Sequence, residues 1–324
     1  MGPPLIALEE HFFSEAMLSS PTDKYSEQFK HTKGILEKLS DVGDLRLKHM
    51  DNGEIAFQVV SHAPSQMSYV QCVSTNNQLS EAVGAHPDRF AGFAILPVAE
   101  PANCAAELER CVRELGFVGA LIDNHDKDGR YFDGEEYFNM FKTAQDLDVP
   151  IYLHPTWPTD SMNSTLYSGN FSKGASISIG GSGFGWHSDV AIHVLRLFAA
   201  GLFERLPQLK IIIGHMGEMI PFMLARIEML SYRWGVPGRT FTEVYKSNIY
   251  ITTSGYWSVD PLACILRNTP IDHVLYSVDY PFGRNEDGLA FFKDLENSGL
   301  VTREQLEMIA YKNAERLLGV RAKA

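Results

Sequence analysis

Short apolar runs that end in an acidic residue or a histidine constrain the fold of this chain more than any other feature. Each run has four to eight mainly aliphatic residues without alternation, which is typical of strands buried on both faces of a parallel sheet. The polar residues that close four of these runs are Glu9-Glu10-His11, His154, His215 and Asp279. In a parallel barrel the carboxyl ends of all strands gather at one mouth, so these side chains are expected to meet there.

Strand candidates alternate with segments of helical spacing, which predicts a parallel sheet with right-handed crossovers. The eight candidates lie at roughly 5–11, 55–61, 90–96, 119–124, 150–155, 209–215, 249–255 and 274–281. Eight such units in a chain of 324 residues favour a closed (β/α)8 TIM barrel that forms a single domain over residues 1–324.

Two segments depart from the alternation of strands and helices. Residues 12–53 hold few apolar clusters and are predicted as an insertion after strand one. Residues 156–187, rich in glycine, serine and aromatic residues, are predicted as a long loop after strand five. Long loops in compact domains are usually functional, so this one is a candidate lid or subunit contact. Ser188 and Asp189 resemble the N-cap of the helix that follows it.

A divalent metal site is predicted at the mouth of the barrel. Glu9 and His11 are two residues apart on a strand, so their side chains point to the same side. With His154 and Asp279 they form a ligand set of nitrogen and oxygen atoms that suits Zn²⁺, Mn²⁺ or another divalent ion. Each residue alone has an ordinary structural interpretation, but four strand ends of the same polarity favour one shared site.

His215 has two interpretations, as a third imidazole ligand or as an acid/base residue. Glu218 lies three residues later, where a carboxylate can fix the tautomer of the imidazole and raise its basicity. This spacing favours the acid/base role. The other histidines, His187 among them, have no supporting pattern and are expected to be structural or solvated.

Several further residues are weaker candidates for contacts with a substrate. Asp123 and Asn124 close strand four, where one of them is expected to bind a substrate hydroxyl. The aromatic residues after strands seven and eight are expected to wall a pocket for a flat ring, and they are Tyr256, Trp257, Tyr280 and Phe282. Arg226 follows His215 on a helix, where an arginine is normally a surface or ion-pair residue.

Composition limits the partners and the compartment. The net charge of −12 argues against nucleic acid, since binding to phosphates requires a basic surface. The four cysteines lack C-x-x-C spacing and are expected to be reduced thiols. No secretory signal and no apolar run of about 20 residues is found, so we expect no membrane association and a cytoplasmic location.

Taken together, the motifs resemble the gamma-resorcylate decarboxylase group, in the aminocarboxymuconate-semialdehyde decarboxylase branch of the amidohydrolase superfamily. The similarity covers nearly the whole chain, and the set is more specific than any one motif. The segments that carry it span residues 7–12, 119–122, 152–155, 214–218, 252–255, 277–282 and 313–318.

The resemblance implies a distorted (β/α)8 barrel, one divalent metal ion held by Glu9, His11, His154 and Asp279, and no organic cofactor. It further implies that His215 and Glu218 form a pair beside the metal. Arg226 matches an arginine that reaches the neighbouring subunit's pocket in relatives, which implies a homo-dimer or homo-tetramer. Phe282 matches a ring that packs on the substrate.

The residues and the resemblance together predict reversible, non-oxidative decarboxylation of an ortho-hydroxy aromatic carboxylic acid of the hydroxybenzoate type. Asp279 is the expected proton donor to the ring. Relatives that act on simple hydroxybenzoates often carry Asn where this chain has Asp123, and Asn124 is displaced by one, so the hydroxyl contact and the identity of the acid stay open. The metal also stays open among Zn²⁺, Mn²⁺ and Mg²⁺. The alternative functions are a metal-dependent hydrolase of a lactone, amide or ester, and a protein that only binds aromatic acids.

Overall fold

Eight parallel strands follow one another around the molecule in chain order. The computed structural model describes residues 2–19 and 25–322. The strands are β1 (Leu5–Phe12), β2 (Ile55–His62), β3 (Phe90–Gly92), β4 (Ala120–Asp123), β5 (Ile151–His154), β6 (Ile211–Ile213), β7 (Ile249–Thr252) and β8 (Val274–Leu275). Hydrogen-bonded ladders connect β1, β2 and β3 in that order, and others connect β4, β5, β6, β7 and β8 in that order. A parallel bridge between Ala94 and Ala120 connects these two sets of strands. The predicted strand order and polarity are confirmed.

Alternate residues of all eight strands form one apolar cluster. Inward-pointing side chains of this kind fill the interior of a TIM barrel, so the cluster identifies the barrel core. The strand residues of this cluster are Ile6, Leu8, Phe57, Val59, Ala91, Leu121, Tyr152, Ile212, Tyr250 and Leu275. Leu317 and Val320, at the C-terminal end of the described chain, pack on the same cluster. The predicted (β/α)8 barrel is therefore confirmed.

Two strands are shorter than the apolar runs predicted. The candidate at 274–281 forms a strand only over Val274–Leu275. The candidate at 90–96 forms a strand only over Phe90–Gly92, beyond which Ala94 makes the single bridge to Ala120. After Leu275 the backbone N–H groups bond mainly to side chains instead of a neighbouring strand. Ser277 N–H donates to Thr253 Oγ1 at 3.1 Å, and Val278 N–H donates to Glu10 Oε1 at 3.0 Å.

The helices cover the outside of the barrel and fill both irregular segments. The insertion after β1 contains α1 (Glu15–Leu18), α2 (Ser26–His31), α3 (Ile35–Ser40) and α4 (Asp44–Asn52). The next helices are α5 (Tyr69–Ala85), α6 (Pro101–Arg113) and α7 (Phe138–Asp146), with a 3₁₀ turn at Glu135–Tyr137. The predicted insertion is thus present as a group of short helices.

The segment after β5 is long, as predicted, but much of it is helical. It contains α8 (Asp160–Met162), a π-helical turn (Asn163–Tyr167), α9 (Lys173–Gly180) and the start of α10 (Gly185–Ala199). The prediction of an N-cap at Ser188 and Asp189 is wrong, because α10 already begins at Gly185 and both residues lie within it. Glycines of this segment lie in close contacts: a Cβ atom at Gly180 would lie 2.7 Å from the Tyr167 ring, and one at Gly185 would lie 2.5 Å from the Gly180 carbonyl oxygen.

The remaining helices complete the outer layer. They are α11 (Leu202–Arg205), α12 (Ile220–Ser231), α13 (Phe241–Asn248), α14 (Val259–Asn268), α15 (Asn285–Ser298), α16 (Arg303–Glu307) and α17 (Asn313–Leu318), with 3₁₀ turns at Tyr232–Trp234 and Ile271–His273 and a π-helical turn at Met308–Lys312. A capping box between Thr302 and Gln305 starts α16, and Gly319, at φ 70°, ends α17. Over the described ranges, no helix is long and apolar enough to cross a membrane.

Candidate metal centre and active site

The four predicted ligands converge at the carboxyl end of the barrel. One potential ligand atom from each of Glu9, His11, His154 and Asp279 lies within 4.8 Å of all the others. His154 Nε2 lies 3.1 Å from Glu9 Oε1, and His11 Nε2 lies 3.3 Å from Asp279 Oδ1. Glu9 and His11 both come from β1, where side chains two residues apart share a face. His154 is the last residue of β5.

Neighbouring groups orient the imidazoles of His11 and His154 so that Nε2 of each ring faces the other predicted ligands. The Nδ1 atom of His154 lies 2.7 Å from the Pro155 carbonyl oxygen, which can only accept, so Nδ1 carries the proton. The Nδ1 atom of His11 lies 3.2 Å from Ser61 Oγ. Such partners fix the tautomer and the ring orientation of metal-binding histidines.

Glu9 is oriented in the same way by hydroxyl groups. Its Oε2 atom accepts hydrogen bonds from the hydroxyls of Tyr152 and Ser254 and from Thr252 at 3.2 Å. Its Oε1 atom and Nε2 of His11 are buried without a hydrogen-bond partner within the described parts of the chain. Buried polar atoms are rarely left unpaired. The two unpaired atoms and the nitrogen–oxygen donor set therefore fit a divalent cation.

The charges of the site favour ionised carboxylates. Burial opposes ionisation of Glu9, but the nearby His215 and His154 outweigh it and hold the pKa of Glu9 well below its usual range. Desolvation likewise raises the pKa of Asp279, and the imidazoles of His11 and His215 more than reverse this and lower it. Burial lowers the pKa of His11, which favours the neutral imidazole that a metal ion requires.

His215 and Glu218 are brought together by an unusual turn. The residues from 215 to 219 all have positive φ, with His215 at 47°, Gly217 at 83° and Glu218 at 52°. Non-glycine residues in this region cost about 1 kcal/mol or more each, and such strain is concentrated at functional sites. The turn places His215 Nδ1 2.8 Å from Glu218 Oε1, and His215 Nε2 lies 3.7 Å from Glu9 and 3.9 Å from Asp279.

The structure adds His187 to this pair, which the sequence did not indicate. His187 Nδ1 lies 2.7 Å from Glu218 Oε2, so the two oxygens of one buried carboxylate each hold an imidazole. His187 Nε2 lies 3.0 Å from the Ser182 carbonyl oxygen. Against the effect of burial, Glu218 and Glu9 raise the pKa of His215 well above its usual value. No local spacing relates His187 to Glu218, which lies 31 residues further along the chain.

His187, His215 and Glu218 are themselves spaced closely enough to bind a cation. Both Nδ1 atoms, however, already lie at hydrogen-bonding distance from the Glu218 carboxylate, at 2.7 and 2.8 Å. This arrangement is that of a hydrogen-bonded triad, and its free imidazole nitrogen, His215 Nε2, faces the predicted metal site.

A cavity of about 640 Å³ opens beside the predicted ligands. His154, His215 and Asp279 line its inner end, and His187 lies on its wall. The aromatic side chains that line the cavity are Tyr25, Trp157, Trp186, Tyr256, Trp257 and Phe282. Polar groups at one end and flat apolar walls elsewhere suit an aromatic ring that carries a polar substituent.

Phe282 lies next to the predicted metal site, whereas Tyr280 does not line the cavity. The ring centroid of Phe282 is 5.9 Å from that of His11. The Phe282 ring also stacks on the Tyr25 ring, with 6.2 Å between their centroids. Tyr280 instead packs under the guanidinium of Arg46 and bonds to His49.

The other predicted contact residues lie outside the lining of this cavity. Asp123 is 6% exposed, pairs with His154 in the strand register and accepts a hydrogen bond from Thr156 at 3.5 Å. Asn124 is buried, and its amide bonds to Asp189 at 2.7 Å and to His193 at 3.1 Å. Arg226 is exposed on α12. Within this chain, the fold thus brings the ligand set, the His215–Glu218 pair and Phe282 together, but not Asn124 or Arg226.

Glu10 is a further residue whose role the sequence did not indicate, although it belongs to the first motif. It is fully buried. Burial raises the pKa of Glu10 to about 8, although hydrogen bonds from the backbone amides of Val278 and Tyr280 favour its ionised form and act in the opposite direction. These two amides flank Asp279.

A candidate set of nitrogen and oxygen ligands at the carboxyl mouth of a parallel barrel is typical of metal-dependent (β/α)8 enzymes. A family model described as amidohydrolase matches residues 26–320, and the chain belongs to this family. It is 52% identical to the protein named decarboxylase orsB of Emericella nidulans, covering 100% of this chain and 99% of the relative. It is 34% identical to the gamma-resorcylate decarboxylase of Polaromonas sp., covering 96% and 97%.

A similar solved structure is the dihydroxybenzoic acid decarboxylase of Polaromonas sp., with bound manganese and the inhibitor 2-nitroresorcinol. The TM-score is 0.84 at 32% identity, and the match covers 98% of this chain and 97% of the other. The predicted family resemblance is therefore confirmed.

Proposed function

We propose that this protein is a metal-dependent carboxy-lyase that decarboxylates an ortho-hydroxy aromatic acid without oxidation. The observation that carries the proposal is the convergence of Glu9, His11, His154 and Asp279 beside an aromatic cavity. The full-length similarity to two proteins named as decarboxylases supports the same reaction class.

The four converging residues would hold one divalent ion. Such an ion would bind the carboxylate and the neighbouring hydroxyl of the substrate and stabilise negative charge on the ring oxygen. Manganese is supported by the metal in the Polaromonas structure, and nitrogen and oxygen ligands also suit Zn²⁺ and Mg²⁺. The unpaired Glu9 Oε1 and His11 Nε2 atoms are the features of this chain that fit an ion.

Asp279 is the proposed proton donor. Asp279 is ionised at rest, and the protonated His215 beside it is placed to supply the proton. The carboxyl group formed in this way would transfer the proton to the ring carbon that bears the carboxylate, forming a C–H bond and dearomatising the ring. The C–C bond then breaks, CO₂ leaves, and its bonding electrons restore the aromatic ring. His215 Nε2 lies 3.9 Å from Asp279 Oδ2 and is placed to return a proton to it. Glu218 and His187 would hold the His215 ring in this orientation.

Of Asp123 and Asn124, Asp123 is the better supported contact for a substrate hydroxyl. The amide of Asn124 is already bonded to Asp189 and His193. The charge of Asp123, in contrast, acts on Tyr25, which lines the cavity. Burial is the main cause that raises the pKa of the Tyr25 phenol, and the negative charge of Asp123 is the next largest. Phe282 would pack against the ring of the substrate.

A homo-oligomer is also proposed, either a homo-dimer or a homo-tetramer, with α12 at the interface between subunits. Arg226 lies on an exposed face of this helix beside Phe222 and Met229, whose side chains are 80% and 54% exposed. Exposed apolar side chains grouped on one helix mark an interaction surface. Arg226 would then reach the partner's cavity. Phe222→Asp is expected to shift the molecular mass measured by light scattering toward the monomer, and an unchanged mass would exclude this face.

We further propose that residues 1–324 act as a single domain in the cytoplasm. Hydrogen bonds between residues 5–12 and residues 277–280 join the first strand of the barrel to the segment after the last strand, which supports a single folding unit. Cys72, Cys104, Cys111 and Cys264 are free thiols, which suits a reducing compartment.

The first experiment incubates purified protein of known metal content with a panel of ortho-hydroxybenzoic acids, following phenol and CO₂ formation. Turnover that a chelator abolishes and Mn²⁺, Zn²⁺ or Mg²⁺ restores is expected. Asp279→Asn should lose turnover, while the surface variant Asp272→Asn should keep it. Absence of turnover in metal-loaded protein, with hydrolysis of lactones or amides instead, would replace the decarboxylase proposal by the hydrolase.

A further inference from the structure

The junction between β8 and β1 is held mainly by hydrogen bonds that involve side chains. Within residues 2–19 and 25–322, no backbone ladder joins these two strands. The Glu10 carboxylate spans the gap: its Oε1 atom accepts from Val278 N–H at 3.0 Å and from the Ser277 hydroxyl at 3.1 Å. Its Oε2 atom accepts from Tyr280 N–H at 3.0 Å and from the Gln58 amide at 3.4 Å.

The same junction is bonded from the β1 backbone. Ser277 Oγ accepts from Glu9 N–H at 2.7 Å and from Leu8 N–H at 3.3 Å. His11 N–H donates to the Tyr280 carbonyl at 2.6 Å. The backbones that carry Glu9 and His11 are therefore tied directly to the backbone that carries Asp279.

Glu10 itself cannot be a ligand in this arrangement. Successive side chains of a strand point to opposite faces, so Glu10 points away from the face that carries Glu9 and His11. Four donors face its two oxygens, and two of these donors are backbone amides. Burial raises the pKa of Glu10, but a protonated carboxyl group would direct its O–H at one of these donors, so the geometry fits the ionised carboxylate.

The two amides that Glu10 accepts are those on either side of Asp279. Asp279 has φ 69°, a left-handed conformation that is unfavourable for a residue with a Cβ atom. A carboxylate that bonds residues 278 and 280 together holds this conformation, and with it the direction of the Asp279 side chain. Both of its oxygens face N–H donors, so an amide in the same place would direct its NH₂ group at another donor.

We propose that Glu10 is a positioning residue for the metal site. Its carboxylate joins β8 to β1 and sets Asp279 against the Glu9–His11 pair, and through this it determines the affinity of the site for a divalent cation. The inference rests on the proposed function in one respect, which is that the four converging residues bind a divalent metal.

The test compares Mn²⁺ affinity of the full-length chain and its variants by competition with a chelating indicator. Glu10→Gln has nearly the same volume but cannot accept hydrogen bonds at both ends. Loss of a residue that orients metal ligands typically weakens metal binding about 10-fold to 100-fold, and this is the expected result. Ser277→Ala, which removes the hydroxyl between the two strands, is expected to weaken binding as well, and it serves if Glu10→Gln does not fold.

Glu107→Gln is the matched control. Glu107 is also a buried carboxylate, on α6, and it bonds to Asn76 at 2.7 Å and to Arg110 at 2.8 Å. Its replacement should lower the melting temperature and leave the Mn²⁺ affinity unchanged.

The outcomes separate the two proposals. A wild-type chain that binds Mn²⁺, together with folded Glu10→Gln and Ser277→Ala variants of unchanged affinity, would overturn the positioning role alone. Equal weakening in Glu107→Gln would also overturn it, because the effect would then reflect general destabilisation. A wild-type chain without affinity for Mn²⁺, Zn²⁺ or Mg²⁺ would overturn the proposed function itself.

Discussion

Replacement of His187 by Leu tests the triad that the structure builds around Glu218. The Leu side chain keeps apolar volume in the cavity wall but removes both hydrogen bonds of the imidazole. Glu218 Oε2, in a fully buried carboxylate, then loses the His187 Nδ1 group that lies 2.7 Å from it. Ser182 also loses its contact at 3.0 Å, but its carbonyl can be reached by water more easily because this bond is only partly buried.

The magnitude follows from the burial of the carboxylate. A hydrogen bond to a charged group contributes about 1.5–3 kcal/mol, and removing one partner leaves the other unsatisfied. A fully broken buried ion pair costs about 3–5 kcal/mol, but here His215 still holds Oε1, so the loss should be smaller. We expect the free energy of unfolding to fall by about 2–3 kcal/mol. At about 2–4 °C per kcal/mol, the melting temperature should fall by roughly 4–12 °C.

His187→Asn is the matched variant for this prediction. Its side-chain NH₂ group can take a position near that of Nδ1 and keep the bond to Glu218, so the expected loss is only about 1 kcal/mol. Urea unfolding at constant metal concentration measures both values, and steady-state kinetics should show a decrease of about 10-fold to 100-fold in kcat for the Leu variant. A Leu variant within 1 kcal/mol of wild type, or an Asn variant as unstable as Leu, would refute the reasoning.

Three further predictions concern the metal, the packing and the pH dependence. Mn²⁺ at a hundredfold excess over its dissociation constant should stabilise the metal-depleted protein by about 2.7 kcal/mol, and calorimetry without any such shift would contradict a native-state site. Gly53→Ala places a Cβ atom 2.4 Å from Asn285 Cβ and should destabilise by about 1–3 kcal/mol, whereas Gly84→Ala, in open space near the end of α5, should not. Burial lowers the pKa of His193 to about 3, below its value near 6.5 in the unfolded chain, so the unfolded state binds the extra proton. Its stabilising contribution is complete above about pH 6.5 and is lost as the pH falls toward 3, at up to about 1.4 kcal/mol per pH unit, and His193→Gln should show a shallower decline in urea unfolding.

The sequence alone was sufficient for the barrel and for the position of the ligand set. A strand buried on both faces has apolar side chains at every position, so a continuous apolar run predicts it. Parallel strands of a barrel then bring their carboxyl ends to one mouth. Glu9, His11, His154 and Asp279 could therefore be placed near one another from their positions at strand ends. The start of α16 could be predicted in the same local way, since the capping box lies within four residues.

Tertiary structure alone decided the contacts around that ligand set. His187 reaches Glu218 from 31 residues away, and Glu10 bonds to backbone groups 268 and 270 residues away. It also directed the Asn124 amide toward Asp189 and His193, away from the cavity lining. Residue spacing carries information only about faces of one helix or strand. Which side chain meets which across the barrel depends on packing and on backbone turns, such as the left-handed conformation of Asp279, that no local pattern encodes.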